Sequence, residues 1–236
     1  MTQDKPAVVC VFCGSTEGND PVHLEAAQDL AYEFHKNNVQ LVYGGGNTGL
    51  MGEIAKKLVS LSGPEAVHGV IPQAMVQAAA SHGTDENDDE TAGGKAAERV
   101  VSKPLDGNHI DELTFGLTTI VQDMHTRKRL MATKVLQGGP GSGFVALAGG
   151  FGTIEEIMEM TTWNQLGIHH VGVVLLNVNG YWDGLLAWVR TAVQQGFINS
   201  ENGSILIEVQ GVKDVWPRLV EYRCSSKRYQ LNWSQE

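Results

Sequence analysis

Two glycine-rich runs and one cation set inside an apolar stripe are the parts of this sequence suited to chemistry. Gly44-Gly45-Gly46-Asn47-Thr48-Gly49 follows the apolar run Val39–Tyr43 and satisfies G-x-G-x-x-G after an expected strand. Glycines at such a turn let backbone approach a phosphate, and the helix that follows offers N–H donors and the positive end of its dipole. The dinucleotide version also requires a carboxylate closing the next strand, but that strand ends Val70-Ile71-Pro72-Gln73. A triphosphate P-loop requires Lys after its last glycine, where Leu50-Met51 stand. NAD and P-loop chemistry therefore lose ground while phosphate binding survives, alongside the plainer explanation that tight turns need positive φ.

The second run is Gly149-Gly150-Phe151-Gly152-Thr153-Ile154-Glu155-Glu156. Thr153 with Glu156 three residues later has the form of a capping box, which would explain both residues structurally. The same carboxylate would also lie beside a ligand phosphate held by the glycines, so cap and catalysis both stand. Between the runs, Asp111–Gln137 is expected as a long helix with the apolar stripe Leu113, Leu117, Ile120, Met124, Met131 and Val135. Arg127 falls inside that stripe and Lys128 at its edge. A buried guanidinium is costly without an anion, so Arg127 either pairs with Asp123 four residues earlier or faces a ligand. His125 and Arg129 point away from the stripe.

Elements that position these groups alternate along the chain. Ala7–Cys13, Val39–Tyr43, Val67–Ile71, Glu98–Ser102, Phe144–Leu147, Val171–Leu176 and Ile205–Val209 are expected strands. Helical patterns run through Leu24–Phe34, Gly49–Leu61, the segment ending at Leu166, Trp182–Gln195 and Val212–Tyr222. Such β-α alternation with apolar strands gives an α/β fold, a parallel sheet with helices on both faces, which binds ligands at the carboxyl ends of its strands. One domain over 1–236 is expected, with no repeat and no linker. An acidic loop insertion lies near 81–97, where Asp85, Glu86, Asp88, Asp89 and Glu90 have no periodicity and read as a solvated segment.

Composition narrows the function classes. The 236 residues carry 17 Lys+Arg against 27 Asp+Glu, a net charge of -10, which disfavours a nucleic-acid footprint. Apolar residues make up 42% and charged ones 19%, enough for a core and against disorder. No apolar run approaches the ~20 residues of a membrane span and the N-terminus lacks a secretory core, so a soluble cytoplasmic protein is expected. Cys10 and Cys13 spell C-x-x-C, but three residues apart on a strand they point to opposite faces and neither a disulfide nor a shared metal follows. The 8 histidines show no ligand spacing, and His169-His170 are expected at the surface or behind the site.

Together these segments resemble the Lonely Guy family of cytokinin-activating phosphoribohydrolases, long labelled lysine decarboxylases. The matching pieces are Phe12-Cys13-Gly14-Ser15, Gly44 through Gly52, Met124-His125-Thr126-Arg127-Lys128, Gly149 through Glu156, Thr162 through His169, and Asn177 through Trp182. The resemblance implies a Rossmann-like doubly wound sheet, a homodimer or larger assembly, and cleavage of a nucleoside 5'-monophosphate to free base and ribose 5-phosphate. It places the catalytic pair on Arg127 and Glu156. Substrate and phosphate contacts fall on Ser15, Gly45, Gly46, Lys128, Gly149, Gly150, Gly152, Thr153 and Thr162. Glu156 would stabilise an oxocarbenium-like transition state and activate water, with Arg127 holding substrate oxygens and lowering the carboxylate's pKa. No metal and no cofactor are expected, and no pyridoxal-phosphate motif supports the decarboxylase label. The alternative is a nucleotide-binding or carrier protein that does not hydrolyse its ligand. Three departures from the family pattern bear on substrate preference: Ala148 where the family has proline, the acidic insertion, and extra length at Gln137–Gly143.

Overall fold

The computed structural model describes residues 5–76, 111–231 and 233. Its strands are β1 Val8–Phe12, β2 Gln40–Tyr43, β3 Val67–Pro72, β4 Leu117–Val121, β5 Gly143–Ala146, β6 Gly172–Leu176 and β7 Leu206–Val209. All pair in parallel, in the order β4-β3-β2-β1-β5-β6-β7. The chain builds outward from β1 to β4 on one side, then returns to place β5 against the other side of β1. The switch point therefore lies at the carboxyl ends of β1 and β5, where open α/β sheets form their ligand crevice.

Helices α1 (Val22–Lys36), α2 (Gly49–Ser62), α3 (Glu112–Phe115), α4 (Met124–Leu136), α5 (Phe151–Gln165), α6 (Asp183–Gln194) and α7 (Val212–Glu221) complete the pattern. Alternate strand residues feed two cores. Val9, Val11, Leu41 and Tyr43 pack with α1, α2 and α7, whereas Val8, Cys10, Phe12 and Val42 pack with α4, α5 and α6. That is the doubly wound arrangement expected from the apolar strands. Cys13 belongs to the first core and Cys10 to the second, both buried and unbridged. Among the described residues no helix is long and apolar enough to cross a membrane.

One long helix over Asp111–Gln137 does not form. The short α3 ends at Gly116, the strand β4 follows, and α4 starts only after Asp123. The physical reason lies in Leu117-Thr118-Thr119-Ile120-Val121, a β-branched run that favours extended backbone and pairs along β3. Asp123 caps α4, accepting the Thr126 N–H at 2.8 Å and its hydroxyl at 2.9 Å. The expected stripe survives only in its second half. Arg127, Met131 and Val135 are buried, while Leu113, Leu117, Ile120 and Met124 are exposed. The acidic insertion near 81–97 and the expected strand Glu98–Ser102 lie outside the described residues.

Candidate active site

Arg127 is held by three elements at once. From the first turn of α4 its Nε donates to the Val70 carbonyl of β3 at 3.0 Å, and Nη1 donates to Glu156 Oε1 of α5 at 2.5 Å. Its Nη2 lies against the Cα of Gly44, so closely that a methyl group there would overlap it. Arg127 and Glu156 are only 7% and 8% exposed, so this is a buried ion pair rather than a surface contact. Breaking such a pair by removing one partner typically costs about 3–5 kcal/mol. Asp123 is not its partner, because that carboxylate is taken up in capping α4.

The capping-box reading of Thr153 and Glu156 fails for a related reason. Helix α5 begins earlier, with Gly150 as N-cap and no side chain capping it. Thr153 is already inside the first turn, and Glu156 lies one turn further in, its carboxylate directed to Arg127. Burial raises the Glu156 pKa above the ordinary carboxylate value, and the charge and hydrogen bond of Arg127 offset this only in part. Arg127 thus lowers that pKa as expected, and burial outweighs it. A carboxylate raised by burial is closer to the range useful to a general base.

Lys128, beside Arg127, joins the same two helices. Its Nζ sits 2.5 Å from Glu155 Oε1 and 3.1 Å from Glu159 Oε2. Burial opposes its charge, but the bonds to Glu155 and Glu159 prevail and its pKa is raised. Two carboxylates thus already occupy the ammonium that the sequence reading assigns to substrate.

The two glycine turns differ in what fills the space beside them. At the first, a methyl group at Gly45 would lie 3.0 Å from Ile71 Cβ, one at Gly46 2.9 Å from Met51 Cε, and one at Gly49 would overlap the backbone of Ser15 and Thr16. Thr48 Oγ1 donates to the Ser15 carbonyl at 3.0 Å, and Met51 N–H reaches the Gly14 carbonyl at 3.3 Å. At the second, Gly149 is closed by the Thr153 side chain and by Gly14, whereas a methyl at Gly150 or Gly152 would meet nothing within 4 Å. This second turn follows β5 at the switch point and is tied to β1 by Gly14 N–H donating to the Ala148 carbonyl at 2.9 Å.

Thr162 lies apart from this constellation, exposed on α5 with its hydroxyl donated to the Met158 carbonyl of its own helix at 2.9 Å. Of the two histidines expected at the surface or behind the site, His170 is exposed and His169 is not. It is buried, with Nε2 donating to the Met160 carbonyl at 2.8 Å and Nδ1 accepting Val171 N–H at 3.3 Å, and burial lowers its pKa to about 4. Among the described residues no group of three or more His, Cys, Asp or Glu is placed to hold a metal ion. The sequence reading gives Tyr181 no role, yet its hydroxyl donates to the Gly149 carbonyl at 2.6 Å. In the sequence that region is marked by the turn pair Asn179-Gly180 and by the family match over Asn177 through Trp182, neither of which gives Tyr181 a role.

Comparison with known proteins adds relatives to this geometry. A family model described as "Possible lysine decarboxylase" matches residues 51–219. A "Bifunctional cytokinin biosynthesis protein" of Fusarium pseudograminearum is 44% identical over 99% of this chain, and the chain spans 44% of that protein. A cytokinin riboside 5'-monophosphate phosphoribohydrolase of Arabidopsis thaliana is 37% identical over 94% of this chain and 86% of its own length. A probable enzyme of the same name from Oryza sativa subsp. japonica is 37% identical over 95% and 89%. Among solved structures, a Moco carrier protein from Chlamydomonas reinhardtii superposes with a TM-score of 0.53 at 15% identity, covering 91% of this chain and 100% of its own. That likeness concerns the fold alone.

Proposed function

Since the chain belongs to the Lonely Guy family, whose family model carries the lysine decarboxylase label, we propose that it is a nucleoside 5'-monophosphate phosphoribohydrolase. It hydrolyses the N-glycosidic bond of adenosine 5'-monophosphates, including those alkylated on the exocyclic amine such as cytokinin riboside 5'-monophosphates. The products are free base and ribose 5-phosphate. The observation that carries this reading is the buried Arg127–Glu156 pair at the carboxyl end of the sheet. Supporting it, the neighbouring glycine turn leaves the start of α5 without a side-chain cap and with open space at Gly150 and Gly152. Phosphate oxygens would find N–H donors and a favourable helix dipole there.

In this reaction the C1'–N bond of the ribose breaks and its electron pair leaves with the base, which takes up a proton. Positive charge develops on the ribose ring, and the Glu156 carboxylate stabilises it while accepting a proton from the water that adds to C1'. Arg127 fixes that carboxylate through Oε1, and its charge favours the anionic form against the burial that raises the pKa. A binding or carrier protein of the same fold has no need of this pair, which favours the hydrolase over that alternative.

The test is a panel of AMP, N6-alkyl AMP and the matching nucleosides, with free base followed by chromatography. Monophosphates should be cleaved, and nucleosides at least about a hundredfold more slowly, since the phosphate anchor supplies binding energy used at the transition state. Equal rates on both would contradict the anchor. The same reading includes a homodimer or larger assembly, supported by the exposed apolar Leu113, Leu117, Ile120 and Met124 beside the edge strand β4. Light scattering should then give at least twice 25.5 kDa. A cytoplasmic setting belongs to it as well, supported by three free cysteines.

A further inference from the structure

Tyr181 stands outside the Arg127–Glu156 pair, yet it grips the backbone on which the proposed phosphate anchor depends. Its hydroxyl donates to the Gly149 carbonyl at 2.6 Å. In a trans peptide the C=O and the next N–H point in opposite directions. Holding the Gly149 carbonyl toward Tyr181 therefore turns the Gly150 N–H the other way, and a hydrogen bond to that carbonyl also polarises the N–H as a donor. Without such a tie the Gly149–Gly150 peptide has more freedom to rotate, because the dihedrals on either side of it belong to glycines and no side chain restricts them.

The chain invests several contacts in placing Tyr181. The turn before it is wound through Asn179 at φ 51° and Gly180 at φ 73°, and Tyr181 N–H donates to the Val178 carbonyl at 3.1 Å. Asn177 braces both sides of that turn: Oδ1 accepts the Trp182 N–H at 2.7 Å, and Nδ2 donates to Asp183 at 2.8 Å and Glu208 at 2.7 Å. The Asn179 side chain reaches Asp20 in the loop after β1 at 3.2 Å. The Tyr181 ring meets His23 edge-on at 5.3 Å between centroids, and Trp182 likewise at 4.8 Å. Tyr181, in the segment after β6, is thus braced by residues that follow β1 and bonds through its hydroxyl to the loop after β5.

We propose that Tyr181 is a positioning residue that sets the Gly149–Gly150 peptide for the phosphate and thereby gives the site its preference for 5'-monophosphates over nucleosides. This rests on the phosphoribohydrolase reading and deepens it. It acts on binding of the phosphate, through Gly149, and takes no part in bond breaking.

Tyr181→Phe removes the hydroxyl and keeps the ring against His23 and Trp182. The loss of one hydrogen bond corresponds to about a five- to tenfold effect. KM for AMP should rise by about that factor with kcat within about twofold, and the kinetics on adenosine should not change. Calorimetric titration with ribose 5-phosphate gives a readout that needs no turnover, and the variant should bind it about five- to tenfold more weakly than the wild-type chain. If the wild-type chain binds ribose 5-phosphate but cleaves no monophosphate, the hydrolase reading falls, and the same loss of affinity in the variant still supports the tether. Equal affinity for ribose 5-phosphate in both chains overturns the tether, as does an equal loss on AMP and adenosine. A wild-type chain that cleaves monophosphates but binds no ribose 5-phosphate overturns the tether alone, and one that does neither overturns both.

Discussion

The two glycine turns look alike in sequence and do different work in the fold. Gly44 through Gly49 comes nearer to a known nucleotide fingerprint, yet its missing side chains make room for protein: the Arg127 guanidinium at Gly44, Ile71 at Gly45, Met51 at Gly46 and the Ser15-Thr16 backbone at Gly49. Gly150 and Gly152 follow a less distinctive pattern and face open space beside an uncapped helix start. A glycine motif therefore reports only that something comes close to the backbone. In the first turn that something is the cation of the site itself, and in the second the space is left for a ligand.

Substitutions that add one methyl group to each turn separate these roles. Gly49→Ala carries the largest expected cost, because φ is 58° and the new carbon would overlap the backbone of Ser15 and Thr16. Overpacking and left-handed strain together amount to about 3–5 kcal/mol, read as a drop of roughly 10 °C in Tm. An unchanged Tm would mean the first turn is not packed as described. Acid provides a second probe, directed at the far end of α5. His169 holds the Met160 carbonyl and is neutral in the native state, with a pKa of about 4 against an ordinary 6.5. Its stabilising share is complete above pH 6.5, declines as pH falls, and is gone below about 4, a loss of about 3 kcal/mol. Thermal unfolding of His169→Gln should lack that share of the wild-type acid sensitivity.

Gly44→Ala should cost about 2 kcal/mol through overpacking, and it should lower turnover by more than its effect on stability explains, because the displaced group is Arg127. The smallest stability change belongs to Gly152→Ala, inside the first turn of α5 with open space beside it. Alanine is a better helix former than glycine, so Tm should hold or rise by about 1 kcal/mol equivalent. Its KM for monophosphates should nevertheless increase roughly tenfold, since the methyl group would crowd the anchor and each 1.4 kcal/mol of lost binding is tenfold. A Gly152→Ala protein with normal KM would break the contrast between the turns.

The strands were legible because parallel strands buried on both faces read as continuous apolar runs, as Val8 through Phe12 do. The segment from Asp111 to Gln137 was misread because Leu117 and Ile120 keep helical spacing with Leu113 and Met124. Period alone cannot show that Thr118, Thr119 and Val121 would rather pair along β3. Arg127 was legible as an interruption of an apolar stripe, but its partner was not. Asp123 lies at helical spacing and was the local choice, whereas Glu156 is 29 residues away and meets Arg127 only because β5 returns beside β1. The same folding step removed the capping box, since the start of α5 at Phe151 depends on how the glycine turn leaves the sheet. Tyr181 left no chemical signature, because its contact is with backbone.

The central claim is that the carboxylate held by Arg127 performs the glycosidic chemistry, and Glu156→Gln addresses it most directly. The amide keeps an oxygen able to accept from Arg127 Nη1 and removes the negative charge that would stabilise the ribosyl cation and take a proton from water. Steady-state hydrolysis of AMP or N6-alkyl AMP should be measured beside a thermal melt of the same preparation. The account predicts a folded protein whose kcat is lower by about a hundredfold or more. A folded Glu156→Gln protein that turns over at the wild-type rate would contradict it.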